Sequence, residues 1–194
     1  MIKYVDYVIG RMIMKVISGF LKGRKILGYD IDGTRPTMER VKESLFAMIQ
    51  NSIRDACVLD LFSGSGNLGI EALSEGAKYA YLCDHNPKAV RVIKDNIQNI
   101  GISNCEVLGM DYLKCLEYFK NNNIKFDVIF LDPPYKTNYI EKSMNCILEY
   151  DLLNENGIVV CENDSIDRIV YPEEFSCVKD RKYGDKYVVI LQKM

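Results

Sequence analysis

From Cys57 onward, short apolar runs alternate with amphipathic segments, and this alternation constrains the fold more than any other feature of the chain. The apolar runs predict strands at 57–62, 79–83, 105–108, 128–131 and 158–161, with helices between them at 68–75, 87–100, 111–120 and 139–150. Such alternation is typical of a parallel, doubly wound α/β sheet covered by helices on both faces. Two more runs, 175–178 and 186–192, predict a closing antiparallel hairpin that turns at 183–185.

The chain before this alternation predicts a small extension of a different kind. Residues 15–27 place short apolar runs around Gly19 and Gly23, which indicates a β-hairpin. A helix is predicted to start at 34–37, with Pro36 in its first turn. Residues 1–13 carry no cap, turn or clear period, and Met12 or Met14 are alternative starts. We therefore divide the chain into an extension at 1–13, a hairpin and helix at 14–54, and a core at 55–194.

The charge of the chain is unevenly distributed. The whole sequence has a net charge of −2, yet residues 1–54 hold ten lysines and arginines against five acidic residues. A basic segment on an acidic body suggests that a polyanion is bound from the amino-terminal side. The alternative is an ordinary solvated charged face. The candidate contacts are Lys22, Arg24, Lys25, Arg35 and Arg40.

Residues 126–135 read as a buried strand that runs into a rigid polar turn, Asp132-Pro133-Pro134-Tyr135. Two prolines remove two backbone donors and leave the preceding carbonyls free to accept hydrogen bonds. A carboxylate, a free carbonyl and an aromatic ring on a stiff turn suit a nucleobase with an exocyclic amine. We therefore predict that Asp132, Pro133 and Tyr135 form the reaction site. The alternative is a purely structural strand exit.

A glycine-rich loop, Gly64-Ser-Gly-Asn-Leu-Gly69, lies between a predicted strand and a predicted helix. This pattern also satisfies the dinucleotide fingerprint, so the glycines alone do not choose between NAD and S-adenosylmethionine. Asp60, at the end of the strand, would oppose a pyrophosphate and favour the ammonium and sulfonium of S-adenosylmethionine. We expect Gly64 and Gly66 to let the backbone approach the methionine part of that cofactor, with Asp60, Phe62 and Ser63 as further cofactor-binding residues.

Two further acids end predicted strands. Asp84 stands twenty residues after Gly64, where a carboxylate accepts hydrogen bonds from ribose hydroxyls. Asp111 could accept from the adenine amine, with His85 and Tyr112 beside the ring. Asp84 and Asp111 could instead be helix N-caps, and His85 an exposed loop residue.

Glu71, in the helix after the glycine loop, is predicted to be a surface acid.

Several classes of protein do not fit the composition. The chain has one histidine and seven scattered cysteines without a Cys-x-x-Cys pair, so no structural metal is expected. No run approaches the length of a membrane span, and the start lacks a signal-peptide pattern. We expect a single cytoplasmic domain that acts as a monomer, without a metal or a membrane partner.

Five motifs of the chain occur together in one known family. They are MKVISGxxKGRK at 14–25, TRPTxxRVKE at 34–43, DLFSGSGNLGIEAL at 60–73, LDPPY at 131–135 and KYGD at 182–185. With them the chain resembles the RsmD-type bacterial small-subunit rRNA (guanine-N2)-methyltransferases. The glycine loop and the LDPPY turn are shared by many amino-methyltransferases, so the two amino-terminal motifs are the specific part.

The resemblance implies a Rossmann-like class I methyltransferase with a seven-stranded sheet and S-adenosylmethionine as methyl donor. It also implies a guanine of 16S rRNA, in assembled small-subunit particles, as the target. A DNA adenine-N6 or cytosine-N4 methyltransferase is the alternative enzyme, although such enzymes usually need a recognition domain for which this chain has little room. A non-catalytic RNA-binding assembly factor on the same fold is the alternative of another class.

Overall fold

The computed structural model describes residues 7–8, 11–28, 35–135 and 137–194. Its strands are β1 (Tyr7–Val8), β2 (Arg11–Lys15), β3 (Lys25–Leu27), β4 (Cys57–Asp60), β5 (Tyr79–Cys83), β6 (Cys105–Leu108), β7 (Phe126–Leu131), β8 (Leu153–Asn163), β9 (Phe175–Tyr183) and β10 (Lys186–Lys193). Its α-helices are α1 (Arg35–Ile53), α2 (Asn67–Ser74), α3 (Pro87–Ile100), α4 (Tyr112–Asn121) and α5 (Tyr139–Glu149). A 3₁₀ turn spans Ile166–Arg168.

The central sheet has seven strands in the order β6-β5-β4-β7-β8-β10-β9. The first five pair in parallel, whereas β10 pairs antiparallel with β8 and with β9. The predicted α/β fold, with its mostly parallel sheet and antiparallel carboxyl-terminal hairpin, is therefore confirmed. The chain winds outward from β4 in one direction and from β7 in the other. The carboxyl ends of β4 and β7 thus form a topological switch point, where open α/β sheets bind their ligands.

Most predicted boundaries lie close to the observed ones, and β8 differs most. It was predicted at 158–161 with Gly157 before it, but Gly157 lies inside the strand. Its extra amino-terminal residues pair through Leu153 with Phe126, beyond an irregularity in the β7–β8 register. Its carboxyl end is extended by pairing with β10, where Asn163 lies opposite Tyr187. Both extensions depend on distant strands and leave little local signal in the sequence.

The sheet separates two hydrophobic layers. Helices α1, α2 and α3 cover one face, through buried residues such as Phe46, Leu73 and Ile93. Helices α4 and α5 cover the other face, through residues such as Phe119 and Met144. Neighbouring residues of one strand therefore contribute to opposite layers, as the two-residue period of a strand requires.

The predicted hairpin at 15–27 is present as the pairing of β2 with β3, in which Lys15 lies opposite Lys25. The first of its strands begins at Arg11, three residues before the strand that the sequence suggested, and β1 adds to its other edge. Thr34 of the predicted helix start lies outside the described residues, and α1 begins at Arg35.

The loop at 16–24 joins β2 to β3 and packs on the end of α2. Gly19 has a positive φ of 73°, and a Cβ built on it would lie 1.8 Å from the backbone oxygen of Ser74. Only glycine allows this close approach. Phe20 N then donates a hydrogen bond to the same Ser74 oxygen, at 2.9 Å. The loop is therefore fixed to the helix that follows the glycine-rich loop.

None of the helices within the described residues combines the length and the apolar character needed to cross a membrane.

Candidate active site

The glycine-rich loop leaves β4 at the switch point and enters α2 at Gly66. Gly66 adopts the left-handed conformation with φ 81°, which favours glycine, and a Cβ there would also lie close to Leu82 Cδ2, at 3.1 Å. Gly64 differs, because a Cβ at this position would meet nothing within 4 Å. Ser63 fixes the start of the loop by donating its hydroxyl to the Asp60 carbonyl oxygen at 2.7 Å. The loop therefore leaves open space beside Gly64, where a ligand could approach the backbone.

Asp60 ends β4 and is almost completely buried. Its Oδ2 accepts a hydrogen bond from Gly69 N at 2.9 Å, which ties the strand end to the first turn of α2. Burial raises the pKa of Asp60 to about 7, the nearby Asp84 carboxylate adds to the shift, and the Gly69 hydrogen bond opposes it. A cation at this position would favour the ionised form of Asp60.

Asp84 follows β5 and holds the glycine-rich loop from the neighbouring strand. Its Oδ2 accepts from Gly64 N at 2.9 Å and its Oδ1 accepts from Asn86 N at 2.8 Å. The N-cap of α3 is Asn86, whose side chain accepts from Lys88 N, so Asp84 is not the helix cap that the sequence allowed as an alternative. Its carboxylate instead lies beside the loop.

Asp111 lies at the end of the neighbouring strand β6 and caps α4, where its carboxylate accepts from Leu113 N at 3.0 Å. The capping alternative therefore holds for Asp111, and this hydrogen bond occupies one of its two oxygens. His85 is 72% exposed, with Nδ1 3.8 Å from Asp84 Oδ1, as expected of an exposed loop residue.

Phe62 and Tyr112 form an aromatic group with a third ring, which the sequence analysis did not single out. The ring centroids of Phe62 and Tyr112 are 5.4 Å apart, and the Tyr139 ring lies 4.8 Å from Tyr112 and stacks on Phe62 at 6.0 Å. Tyr139 was recognised only as the start of α5. The group provides an apolar aromatic surface next to Asp111 in the chain, of the kind on which an adenine ring packs.

The Asp132–Tyr135 turn leaves β7, the strand paired with β4. Pro133 is buried and Tyr135 is exposed at the surface. Burial, followed by the negative charge of Glu162, raises the pKa of Asp132 well above its usual range, whereas the Lys186 ammonium opposes this shift. The turn and the glycine-rich loop therefore meet at the switch point.

Glu162 and Lys186 are two neighbours of Asp132 that the sequence analysis missed. Lys186, on β10, donates a hydrogen bond to Oε1 of Glu162, on β8. The Lys186 ammonium also lies 5.6 Å from the centroid of the Tyr135 ring. Glu162 comes directly after an apolar run, as Asp60 and Asp132 do, and this shared pattern could have identified it. Lys186 is brought beside Glu162 only by the register in which β10 pairs with β8.

Glu71 was predicted to be a surface acid, and this prediction is wrong. The side chain is completely buried and accepts hydrogen bonds from the backbone nitrogens of Ile17 and Ser18 at 2.8–3.0 Å. Lys42 of α1, itself buried, lies 2.7 Å from Glu71 Oε2 and donates to the Lys15 oxygen and to Asn67. The backbone donors of the 16–24 loop are far away in sequence, so the helical pattern around Glu71 gave no sign of them.

Asn96 makes a second connection between the hairpin and the glycine-rich loop. Its Oδ1 accepts from Leu27 N at 2.8 Å, and its Nδ2 donates to the oxygens of Leu27 and Ser65 at 2.9 Å. The hairpin is thus joined to the loop by two buried polar side chains, Glu71 and Asn96.

The predicted basic contacts lie on or beside this hairpin. Lys22, Arg24 and Lys25 are exposed, as is Arg40 of α1. Arg35 begins α1, and its side chain lies outside the described part of the structure.

The acidic side chains at this edge of the sheet fit S-adenosylmethionine. Two carboxylates, Asp60 and Asp84, flank the open space at Gly64, and their negative potential suits a ligand with an ammonium and a sulfonium. The same potential disfavours the pyrophosphate of NAD.

Comparisons with known proteins agree with this geometry. The putative rRNA methyltransferase YlbH of Bacillus subtilis is 36% identical over 93% of this chain and 99% of its own length. The ribosomal RNA small subunit methyltransferase D of Buchnera aphidicola is 34% identical over 86% of both chains. The solved structure of a putative methyltransferase from Escherichia coli superposes with a TM-score of 0.81 and 25% identity, over 93% of this chain and 98% of that one.

Fold, site and relatives together define an S-adenosylmethionine-dependent methyltransferase with a class I, Rossmann-like fold. Within this class the chain belongs to the family described as conserved hypothetical protein 95, whose model matches residues 14–192.

Removing the charge of Glu71 should destabilise the protein strongly. We expect Glu71→Gln to lower the free energy of unfolding by about 3–5 kcal/mol, because it leaves the Lys42 ammonium buried without a negatively charged partner. Adding Lys42→Met should recover part of this loss, since no unpaired charge then remains. Denaturant unfolding measures both effects, with Glu117→Gln on the exposed face of α4 as the matched control. Equal stability of Glu71→Gln and the control would contradict the assignment.

Proposed function

We propose that the protein transfers a methyl group from S-adenosylmethionine to the exocyclic N2 amine of a guanine in small-subunit rRNA. The observation that carries the proposal is the pairing of β4 with β7, which brings the glycine-rich loop and the Asp132–Tyr135 turn to one switch point. The relatives from Bacillus subtilis and Buchnera aphidicola, which are named as rRNA methyltransferases, support rRNA as the substrate class. Small ribosomal subunit particles in the cytoplasm are the proposed setting, and the protein acts there as a monomer.

The cofactor contacts that we propose use the strand ends in order across the sheet. Asp60 faces the sulfonium and ammonium groups, and Gly64 and Gly66 let the methionine part approach the backbone. Phe62 and Ser63 are further cofactor contacts. Asp84 accepts from the ribose hydroxyls. Asp111 and Tyr112 bind the adenine, with His85 at the rim.

The target amine is a weak nucleophile, because its lone pair is delocalised into the purine ring. Asp132 and the Pro133 carbonyl accept hydrogen bonds from its two hydrogens, which favours a pyramidal nitrogen and directs the lone pair at the methyl carbon. The bound cofactor supplies an electrophilic methyl group on a sulfonium, which leaves as a neutral thioether. The nitrogen gains the methyl group and loses one proton, which passes to Asp132 or to water. Tyr135 stacks on the extruded base.

Methyl-labelled cofactor distinguishes the candidate substrates. The protein is incubated with naked small-subunit rRNA, with small-subunit particles or with duplex DNA, and the products are digested to nucleosides. We expect label in N2-methylguanosine from an rRNA substrate. Label in N6-methyladenine or N4-methylcytosine of DNA would contradict the proposal.

Cofactor affinity should depend on the ionisation of Asp60. The pKa of Asp60 is raised to about 7 in the cofactor-free protein, and a bound cation favours its ionised form. Binding therefore releases a proton, so the affinity should increase with pH and level off above about 7. Calorimetry between mildly acidic and mildly basic pH measures this. Asp60→Asn should bind more weakly and lose this pH dependence, whereas Asp111→Asn should keep it.

The basic tip of the hairpin, Lys22, Arg24 and Lys25, should control the salt dependence of RNA binding. Replacing all three with alanine should flatten the log–log salt slope by up to roughly 2–3, one counterion for each lost phosphate contact. Cofactor affinity should be unchanged. A control variant that removes three other exposed charges, Lys78, Lys142 and Lys179, should keep the original slope. If both variants give the same slope, the RNA surface lies elsewhere.

Asp132→Asn should slow methyl transfer far more than it weakens binding. Loss of one preorganised acceptor typically costs about 10²–10³ in rate.

Tyr135→Ala should weaken capture of the base by roughly 1–3 kcal/mol, since it removes the stacking surface. Tyr135→Phe keeps the ring and should have the smaller effect. Single-turnover transfer at saturating cofactor and RNA separates these effects. If Asp132→Asn transfers the methyl group at the parental rate, the turn is only a structural strand exit.

A further inference from the structure

Glu162 lies beside Asp132 but belongs to none of the motifs that predicted the site. Leu131 of β7 pairs with Cys161 of β8, so the next residues along these parallel strands, Asp132 and Glu162, are neighbours. Glu162 is 9% exposed, and its charge acts on Asp132. Neighbouring strands are about 4.8 Å apart, so both carboxylates can reach the same small ligand.

The surroundings of Glu162 show that packing does not require a charge there. On the same face of the sheet, Val160 lies two residues before Glu162, and Val188 lies opposite it on β10. Both valines are buried and apolar. A buried ion pair contributes little to stability compared with apolar side chains of similar volume. Placing a second carboxylate beside Asp132 also raises the cost of ionising Asp132. The position is therefore better explained by a ligand than by the fold.

Guanine is the base whose hydrogen-bonding edge matches two adjacent carboxylates. Its N1–H and its N2 amine are neighbouring donors, whereas adenine presents an acceptor at N1 and cytosine presents one at N3. Resting on the proposed function, we propose that Glu162 accepts the N1–H of the target guanine while Asp132 holds its N2 amine, so that Glu162 selects guanine over the other amino-bearing bases.

Lys186 is the positioning residue of this pair. Its ammonium donates to Oε1 of Glu162, and a carboxylate can accept further hydrogen bonds at its other oxygen. The same ammonium lies over the Tyr135 ring, beside the surface on which we expect the base to stack. Lys186 thus fixes the Glu162 carboxylate relative to the stacking ring. Burial lowers the pKa of Lys186, but Glu162 and Asp132 outweigh this effect and raise it above the ordinary value, so Lys186 stays charged.

A base-swap experiment with Glu162→Gln tests the proposal. Small-subunit particles carry either guanine or 2,6-diaminopurine at the mapped target position, introduced on a ligated synthetic fragment. Both bases have the 2-amine, but diaminopurine presents an acceptor at N1, which the glutamine amide can contact as a donor. We expect single-turnover transfer by the parent to favour guanine, and Glu162→Gln to shift the ratio toward diaminopurine by about 10–100-fold. Cofactor affinity should not change.

Equal losses of rate on both bases, or a parental rate of Glu162→Gln on guanine, would overturn the role of Glu162. The parent protein gives a second test that does not depend on the folding of a variant. Its transfer to 2-aminopurine, which has the 2-amine but no N1–H, should be about 10–100-fold slower than its transfer to guanine. Equal rates would also overturn the inference. Failure of the parent to methylate any guanine N2 in small-subunit rRNA would instead contradict the proposed function.

Discussion

The buried pair of Glu71 and Lys42 determines how the amino-terminal segment sits on the catalytic sheet. The Glu71 carboxylate forms an ion pair with the Lys42 ammonium of α1 and accepts hydrogen bonds from two backbone nitrogens of the 16–24 loop. Burying these charges is costly unless each polar atom finds a partner, so the arrangement tolerates only one position of the loop. Because α2 continues from the glycine-rich loop, the same carboxylate fixes the loop relative to the hairpin.

The carboxyl ends of four adjacent strands each carry an acid, namely Asp84, Asp60, Asp132 and Glu162. Burial, followed by their mutual repulsion, raises the pKa values of Asp60 and Asp132. In the proposed reaction Asp84 and Asp60 meet a cationic cofactor, whereas Asp132 and Glu162, already beside Lys186, meet the N–H donors of a base. The unfavourable electrostatics of the empty site would then favour binding of both reactants.

Local signals were sufficient to predict much of the sheet from the sequence. The bounds of β5, α3 and β6 match their predictions, because Asn86 caps α3, Pro87 begins it and Gly101 ends it in a left-handed conformation. Strand ends also located Asp60, Asp84 and Asp132. The rest depends on contacts between distant segments. The burial of Glu71 requires a loop more than fifty residues away, and Lys186 reaches the site only through strand register.

Basic and acidic residues are concentrated on two different surfaces of the protein, the hairpin and the switch point. The exposed basic tip, Lys22, Arg24 and Lys25, lies on the hairpin, whereas the switch point is lined by carboxylates. In the proposed function, RNA phosphates are attracted to the tip and repelled from the switch point. A base that has left its helix carries no charge and presents N–H donors, so it can enter where its own backbone cannot. In the proposed function, attachment of the hairpin through Glu71 and Asn96 fixes the distance between the bound RNA strand and the methyl donor. The hairpin would then act as a spacer as well as an RNA contact, and its buried anchors would matter to methyl transfer as well as its exposed charges.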